Sequence, residues 1–243
     1  MKKIIATLLL IVLSAFAQDI NKSPDTDPKF HSHRGLYFSN SLAFSYIYTR
    51  HIYVGDTEDH YTKYNDIFNG SGLYNEIRLG GSIANIVSVY AVTGFGYHSG
   101  TFEEEKKERK INKDKIEQKD LNDDDAKEFR VLLGLGAEFY PFQRTTSPFY
   151  GIFFGLSSGV VMDVVRYTYK KRKKNRHDTD TLIDMFGAFE IGKEWWISRR
   201  WSFGTSLFYN FGAYNEKDEE ERDATYKDSF AVHSIGISFR ITH

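Results

Sequence analysis

An all-β chain, folded as an eight-stranded antiparallel up-and-down transmembrane β-barrel, is what the sequence predicts, and three observations carry the prediction. Apolar side chains alternate with small or polar ones along eight separate stretches, and successive side chains of a strand point to opposite faces. The stretches are joined by connections that are alternately long and short, the arrangement of a membrane barrel with external loops and periplasmic turns. The 243 residues are 16% aromatic, with 20 Phe and 16 Tyr against only 4 Pro, in a chain that is 27% charged. Such a composition is expected where polar loops and a polar lumen dilute a lipid-facing band with aromatic girdles.

Met1-Lys2-Lys3, the apolar run Ile4 to Val12 and the small residues Ser14-Ala15-Phe16-Ala17 are the three parts of a secretory signal, with cleavage expected after Ala17. The run is too short for a retained membrane helix. Residues 18–34 are polar, interrupted by Pro24 and Pro28, and lack any period, so they read as a flexible periplasmic leader to a barrel domain over 35–243. The chain has no Cys, which excludes disulfides, a thiol nucleophile, thiolate metal sites and a lipoprotein anchor. Loss of residues 1–17 takes two lysines from the 32 basic residues, leaving 30 against 33 acidic ones, a charge of −3. That balance argues against nucleic acid as a partner.

The first stretch sets Leu36, Phe38, Leu42, Phe44, Tyr46 and Tyr48 against Ser39, Ser41, Ala43, Ser45 and Thr49. In the second, Leu73, Ile77, Leu79 and Ile83 oppose Tyr74, Glu76, Arg78 and Ser82. A tight turn near Ala84-Asn85 leads to the third, Val87, Val89, Ala91, Phe95 and Tyr97 against Ser88, Tyr90, Gly94, Gly96 and His98. The fourth sets Phe129, Val131, Leu133, Leu135, Ala137 and Phe139 against Arg130, Gly134, Gly136, Glu138 and Tyr140. The fifth, about 149–169, is glycine-rich and alternates less cleanly. In the sixth, Ile183, Met185, Phe189 and Ile191 oppose Asp184, Ala188, Glu190 and Gly192; in the seventh, Trp201, Phe203, Leu207, Tyr209 and Phe211 oppose Ser202, Gly204, Ser206, Asn210 and Gly212. The eighth places Ile235, Ile237, Phe239 and Ile241 opposite Ser234, Gly236, Ser238, Arg240 and Thr242, and reaches His243 without a turn. Long charged loops are expected over 55–71, 100–126, 170–180 and 215–228, and short connections near 84, 141–148 and 197–200.

With the signal sequence, the terminal Ile235-x-Ile237-x-Phe239-x-Ile241 strand, the Gly134-Leu-Gly-Ala-Glu-Phe-Tyr-Pro141 strand-to-turn element and the alternating connections, the chain resembles the OmpA/OmpX-like small outer-membrane barrels over residues 35–243. The resemblance implies a bacterial outer-membrane location. It implies outer-membrane lipid, lipopolysaccharide and the barrel-assembly machinery as partners, an extracellular ligand for the loops, and no cofactor. Such barrels usually end on an aromatic residue that the assembly machinery reads. Here His243 stands in that outward slot.

If the apolar parity faces lipid, Glu76, Arg78, Arg130, Glu138, Asp184, Glu190 and Arg240 face the lumen. Eight strands leave an interior just wide enough for side chains, and unpaired buried charges are costly. The expectation is a plug in which Glu76, Glu138 and Glu190 meet Arg78, Arg130 and Arg240. An ion-conducting pore is the functional alternative. Trp195, Trp196 and Trp201 flank a short connection and read as a periplasmic aromatic girdle.

Other candidates compete with bland readings. His98-Ser99, followed by Glu103 to Glu105, offers a base and a nucleophile for a lipid A deacylase-like hydrolase, against the alternative of a strand end entering a loop. His31 and His33 with Asp25 and Asp27 have metal-ligand chemistry but lie in the leader, so no metal site is assigned. The run Lys170-Lys-Arg-Lys-Lys-Asn-Arg176 suits phosphate-bearing lipopolysaccharide or the acidic stretch Glu216 to Asp223, or is simply solvated. No catalytic residue is assigned, and the expected role is structural or surface interaction such as adhesion. A soluble periplasmic barrel is the remaining alternative.

Overall fold

The computed structural model describes residues 35–57, 60–83, 86–110, 116–142, 147–171, 174–198, 201–221 and 224–243. The expected signal sequence, the expected leader with His31 and His33, and the expected turn at Ala84-Asn85 lie outside them. Eight strands follow in order: β1 (Gly35–Thr57), β2 (His60–Ile83), β3 (Val87–Lys110), β4 (Ile116–Phe139), β5 (Ile152–Lys171), β6 (Lys174–Trp196), β7 (Ser202–Glu221) and β8 (Ala224–Thr242). Each pairs antiparallel with its neighbour, and β8 returns to β1 from Ser39↔Thr242 to Thr57↔Ala224, which closes the barrel. Closure removes the sheet edges that lipid could not solvate.

Alternation sorts the side chains onto two surfaces. Outside, Leu36, Phe44, Leu73, Leu133, Leu135, Leu156, Ile183, Met185 and Ile235 are among a large set of exposed apolar residues, Leu135 at 70%. A belt of this kind is solvated by hydrocarbon and not by water. Inside, buried apolar clusters alternate in height with buried charges. One cluster joins Tyr37, Tyr90, Val92, Leu132, Val161 and Phe186; a second, nearer the long hairpins, joins Ile47, Phe68, Phe102, Ala126, Val165, Phe230 and Val232. This explains the poor alternation of β5: inward Phe153, Val161 and Val165 are as apolar as outward Leu156 and Val160.

The four expected long loops are corrected. β1 and β2 stay paired to Asp56↔Tyr61, β3 and β4 to Arg109↔Ile116, β5 and β6 to Lys171↔Lys174, and β7 and β8 to Glu221↔Ala224. The strands are 19 to 24 residues long, whereas about 9–11 suffice to span a bilayer. Beyond the belt both faces meet water, so the ladder continues with no hydrophobic period to reveal it. Polar pairs take over, across strands in Arg50 with Asn65 at 2.9 Å and His51 with Asp228 at 2.6 Å, and along β3 in Lys107 with Glu105 at 2.8 Å. Lys107 holds the Glu105 carboxyl below its ordinary range.

Not all seams run to the tips. Among the described residues β4–β5 pairing ends at Ala126↔Tyr167 and β6–β7 pairing at Phe186↔Gly212. The outer part of the β5–β6 hairpin therefore stands apart from a six-stranded sheet, β7-β8-β1-β2-β3-β4. At the opposite end the connections are compact. Gly151 adopts φ +84, and a Cβ there would lie 2.3 Å from the Glu194 carbonyl oxygen that crowds it, so the turn into β5 requires glycine.

The belt predicts its own sensitivity. Leu133→Arg places a charge near mid-height of the lipid-facing surface and is expected to destabilise the barrel by about 2–4 kcal/mol, measured by reversible urea unfolding in phospholipid vesicles.

Candidate functional site

The chemistry of the chain is concentrated in the lumen, where each charged side chain is set by inward parity on a paired strand. Glu76 and Arg78 come from β2, Glu138 from β4, Glu190 and Glu194 from β6 and Arg240 from β8, all buried. Arg78 occupies the centre: its Nε donates to Glu76, Nη1 to Glu138, and Nη2 to Glu190 at 2.6 Å. Arg240 Nη1 donates to Glu138 at 2.5 Å, and its Nη2 donates to Glu194 and to the Tyr140 hydroxyl at 3.2 Å. Two arginines thus grip Glu138 from both sides, a charge-assisted arrangement.

Hydroxyls supply the remaining donors. Tyr37 and Tyr140 donate to Glu138 at 2.9 and 2.8 Å, Tyr74 to Glu76 at 2.9 Å, Ser206 to Glu190 at 2.5 Å, and Ser202 and Thr242 to Glu194 at 2.9 and 3.0 Å. The guanidiniums also lie over rings, Arg78 over Tyr90 and Arg240 over Phe153, at 5.0 and 3.5 Å from the ring centres. Inward glycines make room for this crowd: a Cβ at Gly136 would lie 2.5 Å from the Tyr90 ring, and one at Gly94 would lie 2.2 Å from the Tyr74 hydroxyl.

Arg130 does not join this network. It lies higher in the lumen, where its Nε and Nη2 donate to Asp163 at 2.7 and 2.8 Å, with Glu128 3.6 Å from Nη2. Glu128 also faces His98 Nδ1 at 3.0 Å, and His98 Nε2 meets Ser45 Oγ at 2.7 Å. His98 and Glu128 are direct register partners, and glycine at position 72, between His98 and Ser45 in register, leaves the imidazole free to cross β2. Asp184 also stands apart: its Oδ1 accepts the Met185 N–H at 2.6 Å, and Oδ2 has no partner among the described residues.

The barrel is similar to known ones in outline only. No protein-family model and no curated protein matches the chain. Among solved structures, the outer membrane protease OmpT of Escherichia coli aligns over 89% of this chain and 100% of its own at 8% identity, with a TM-score of 0.41. Ail, the attachment invasion locus protein of Yersinia pestis, aligns over 85% and 99% at 11% identity and 0.37. OprG of Pseudomonas aeruginosa aligns over 86% and 97% at 13% identity and 0.38. The likeness is to outer-membrane barrels. It is a likeness of fold, and it assigns no role to any residue of this chain.

The proposed His98-Ser99 dyad is corrected by parity: His98 is buried in the lumen and Ser99 points outward. The serine His98 does meet is Ser45, and with Glu128 the three groups stand in the order of a nucleophile, base and orienting acid. All three are sealed, at 2%, 1% and 0% exposure, beneath the cluster of Ile47, Phe68, Phe102 and Phe230. Within the arrangement His98 Nδ1 and both Glu128 carboxylate oxygens make no hydrogen bond among the described residues. Among the described residues no group of His, Asp and Glu has metal-binding geometry.

Trp195 and Trp201 are exposed on the outer surface with Phe203, but Trp196 follows Trp195 and so takes the opposite face, which removes it from the outer girdle. Ile235, Ile237, Phe239 and Ile241 all face outward, and the His243 ring meets Trp201 edge-on at 4.8 Å. Inward Tyr74, Tyr90 and Tyr140 are legible from parity, whereas Glu194, Glu128, Asp163 and Tyr37 are not among the expected lumen residues. Glu194 shares the parity of Asp184 and Glu190 and is legible by extending β6 to its end; Glu128 falls between the expected loop, 100–126, and the stretch read from Phe129, and Asp163 falls in the irregular fifth stretch.

Two substitutions test the lumen. Arg240→Leu leaves Glu138 and Glu194 short of their cation and is expected to cost about 3–5 kcal/mol in urea unfolding in detergent micelles. Gly94→Ala forces the Tyr74 ring from its place against Glu76 and is expected to cost about 1–3 kcal/mol in the same titration.

Proposed function

We propose that the chain is an integral, non-enzymatic protein of the bacterial outer membrane whose barrel anchors a charged extracellular surface. The observation that carries this reading is the inversion of polarity across the barrel wall. An apolar belt covers the outside, while Glu76, Glu138, Glu190, Glu194, Arg78 and Arg240 fill the inside. A soluble protein would place its apolar surface inward.

The lumen serves as a plug. Beside Glu76, Arg78 and Glu190 lies a cavity of about 20 Å³, which is room for a water and not for a continuous file of them. A hydrated ion would have to displace guanidiniums held by carboxylates and rings. Interaction is then the work of the surface, where the sequence puts a basic run, 170–176, and an acidic run, 216–223, at the ends of β5–β6 and of β7–β8. Polar extensions of this kind carry function on a rigid scaffold. Surface interaction, with lipopolysaccharide or with an extracellular ligand, is accordingly the proposed role. The terminal strand from Ile235 to His243 is the proposed contact for the assembly machinery.

Planar-bilayer recording of the purified, folded protein is expected to show no stable channel steps above leak. A reproducible single-channel conductance overturns the plug. Carbonate extraction of membranes tests the anchor separately: the protein is expected to stay in the pellet, and its release without detergent overturns the membrane reading.

A further inference from the structure

We propose that Lys127 and Arg166, side by side on the outer surface of β4 and β5, form a binding site for the phosphate of an outer-leaflet glycolipid headgroup. The proposal rests on the membrane reading above and gives the charged surface a first partner.

The register supplies the geometry. An outward row runs across six strands through successive partners: Tyr46, Ser71, Ser99, Lys127, Arg166 and Thr179. One outward position towards the bilayer on β4 and β5 the neighbours are Phe129 and Val164, themselves register partners. Along these two strands the change from apolar side chains to cations therefore takes a single outward position. At that step the acyl chains of a lipid would lie on Phe129 and Val164 while its headgroup met Lys127 and Arg166. Both cations are exposed and point outward.

Directly opposed residues in an antiparallel pair have their Cβ atoms about 4.5–5.5 Å apart, and like charges so placed repel. Lys127 and Arg166 are such a pair, and their other register partners, Ser99 and Thr179, carry no charge. Asp125 stands one rung further from the bilayer, opposite Thr101. A phosphate between the two cations converts the repulsion into two charge-assisted contacts, bidentate from the guanidinium and point-like from the ammonium.

Among the described residues Ala126↔Tyr167 is the last pair of the β4–β5 seam, one residue beyond Lys127↔Arg166, so the cation pair lies where this seam ends.

The test uses the full-length protein in phosphatidylcholine nanodiscs, with bisphosphorylated lipid A and its dephosphorylated form as probes. Wild-type protein is expected to bind the bisphosphorylated form and Lys127→Gln/Arg166→Gln to lose about 30-fold in affinity, at roughly 1 kcal/mol for each surface cation. Lys170→Gln/Lys171→Gln, further out on the hairpin, is expected to change it by no more than a few-fold. Equal binding of the dephosphorylated lipid, or equal loss in both variants, overturns the site. Displacement of lipid A by millimolar inorganic phosphate overturns the lipid as its source. Heat-modifiable mobility of each variant is read in parallel: an inserted barrel that fails the binding test refutes this site alone, whereas failure of the wild type to insert refutes the membrane reading.

Discussion

Closing eight strands on themselves leaves an interior only as wide as the side chains that fill it, and the rest of the structure follows from that constraint. Inward positions are apolar, small or, in the lower charged layer, paired carboxylate by carboxylate. Glu138 shows how dense that pairing is. It is 1% exposed and accepts from Arg78, Arg240, Tyr37 and Tyr140, so residues of β1, β2, β8 and the end of β4 converge on one carboxylate. Contacts between strands far apart in sequence thus add to the ladders. Glycines leave room beside two of the arginines: a Cβ at Gly204 would lie 3.1 Å from the Arg240 side chain, and one at Gly96 would lie 3.3 Å from that of Arg130.

The lumen is layered for the same reason. A charged layer of Glu76, Glu138, Glu190, Glu194, Arg78 and Arg240 is followed by rings and aliphatics, then by Ser45, His98, Glu128, Arg130 and Asp163, then by the apolar cluster of Ile47, Phe68 and Phe102. Apolar layers exclude water from the ionic ones and so strengthen each pairing. They also lower the tolerance for error, since a charge that loses its partner there cannot be hydrated.

The membrane-spanning half of the fold was legible because two solvents act on it at once. Hydrocarbon on one face and a narrow polar lumen on the other impose a period of two, and Leu133, Gly134, Leu135 and Gly136 record it in four residues. The outer half of each strand was not legible. There Lys106 to Glu108 are partly exposed on both faces, and charged residues that would be loop elsewhere continue a ladder begun in the membrane. Partner choice was equally hidden. Parity places Arg130 in the lumen with Arg78 and Arg240, but height along the strand decides which carboxylate it meets, and height depends on barrel stagger. Arg130 is the register partner of Asp163, and it pairs there instead of with Glu138.

Charge balance distinguishes the two ionic layers. The upper one has Glu128 and Asp163 against Arg130; Asp163 takes both strong donors of that guanidinium, and Glu128 lies 3.0 Å from His98 Nδ1. The lower one has four carboxylates against two arginines, and hydroxyls from Tyr37, Tyr74, Tyr140, Ser202, Ser206 and Thr242 supply the donors that the missing cations do not. Hydroxyls stabilise a carboxylate without adding positive charge, so the layer keeps a negative potential while every oxygen is engaged. A cation attracted by that potential would still have to break short bonds on fixed strands to enter. The lumen is thus electrostatically inviting and sterically shut, and the interactions of the protein with other molecules are left to the outer surface, where Lys127 and Arg166 meet the edge of the lipid belt.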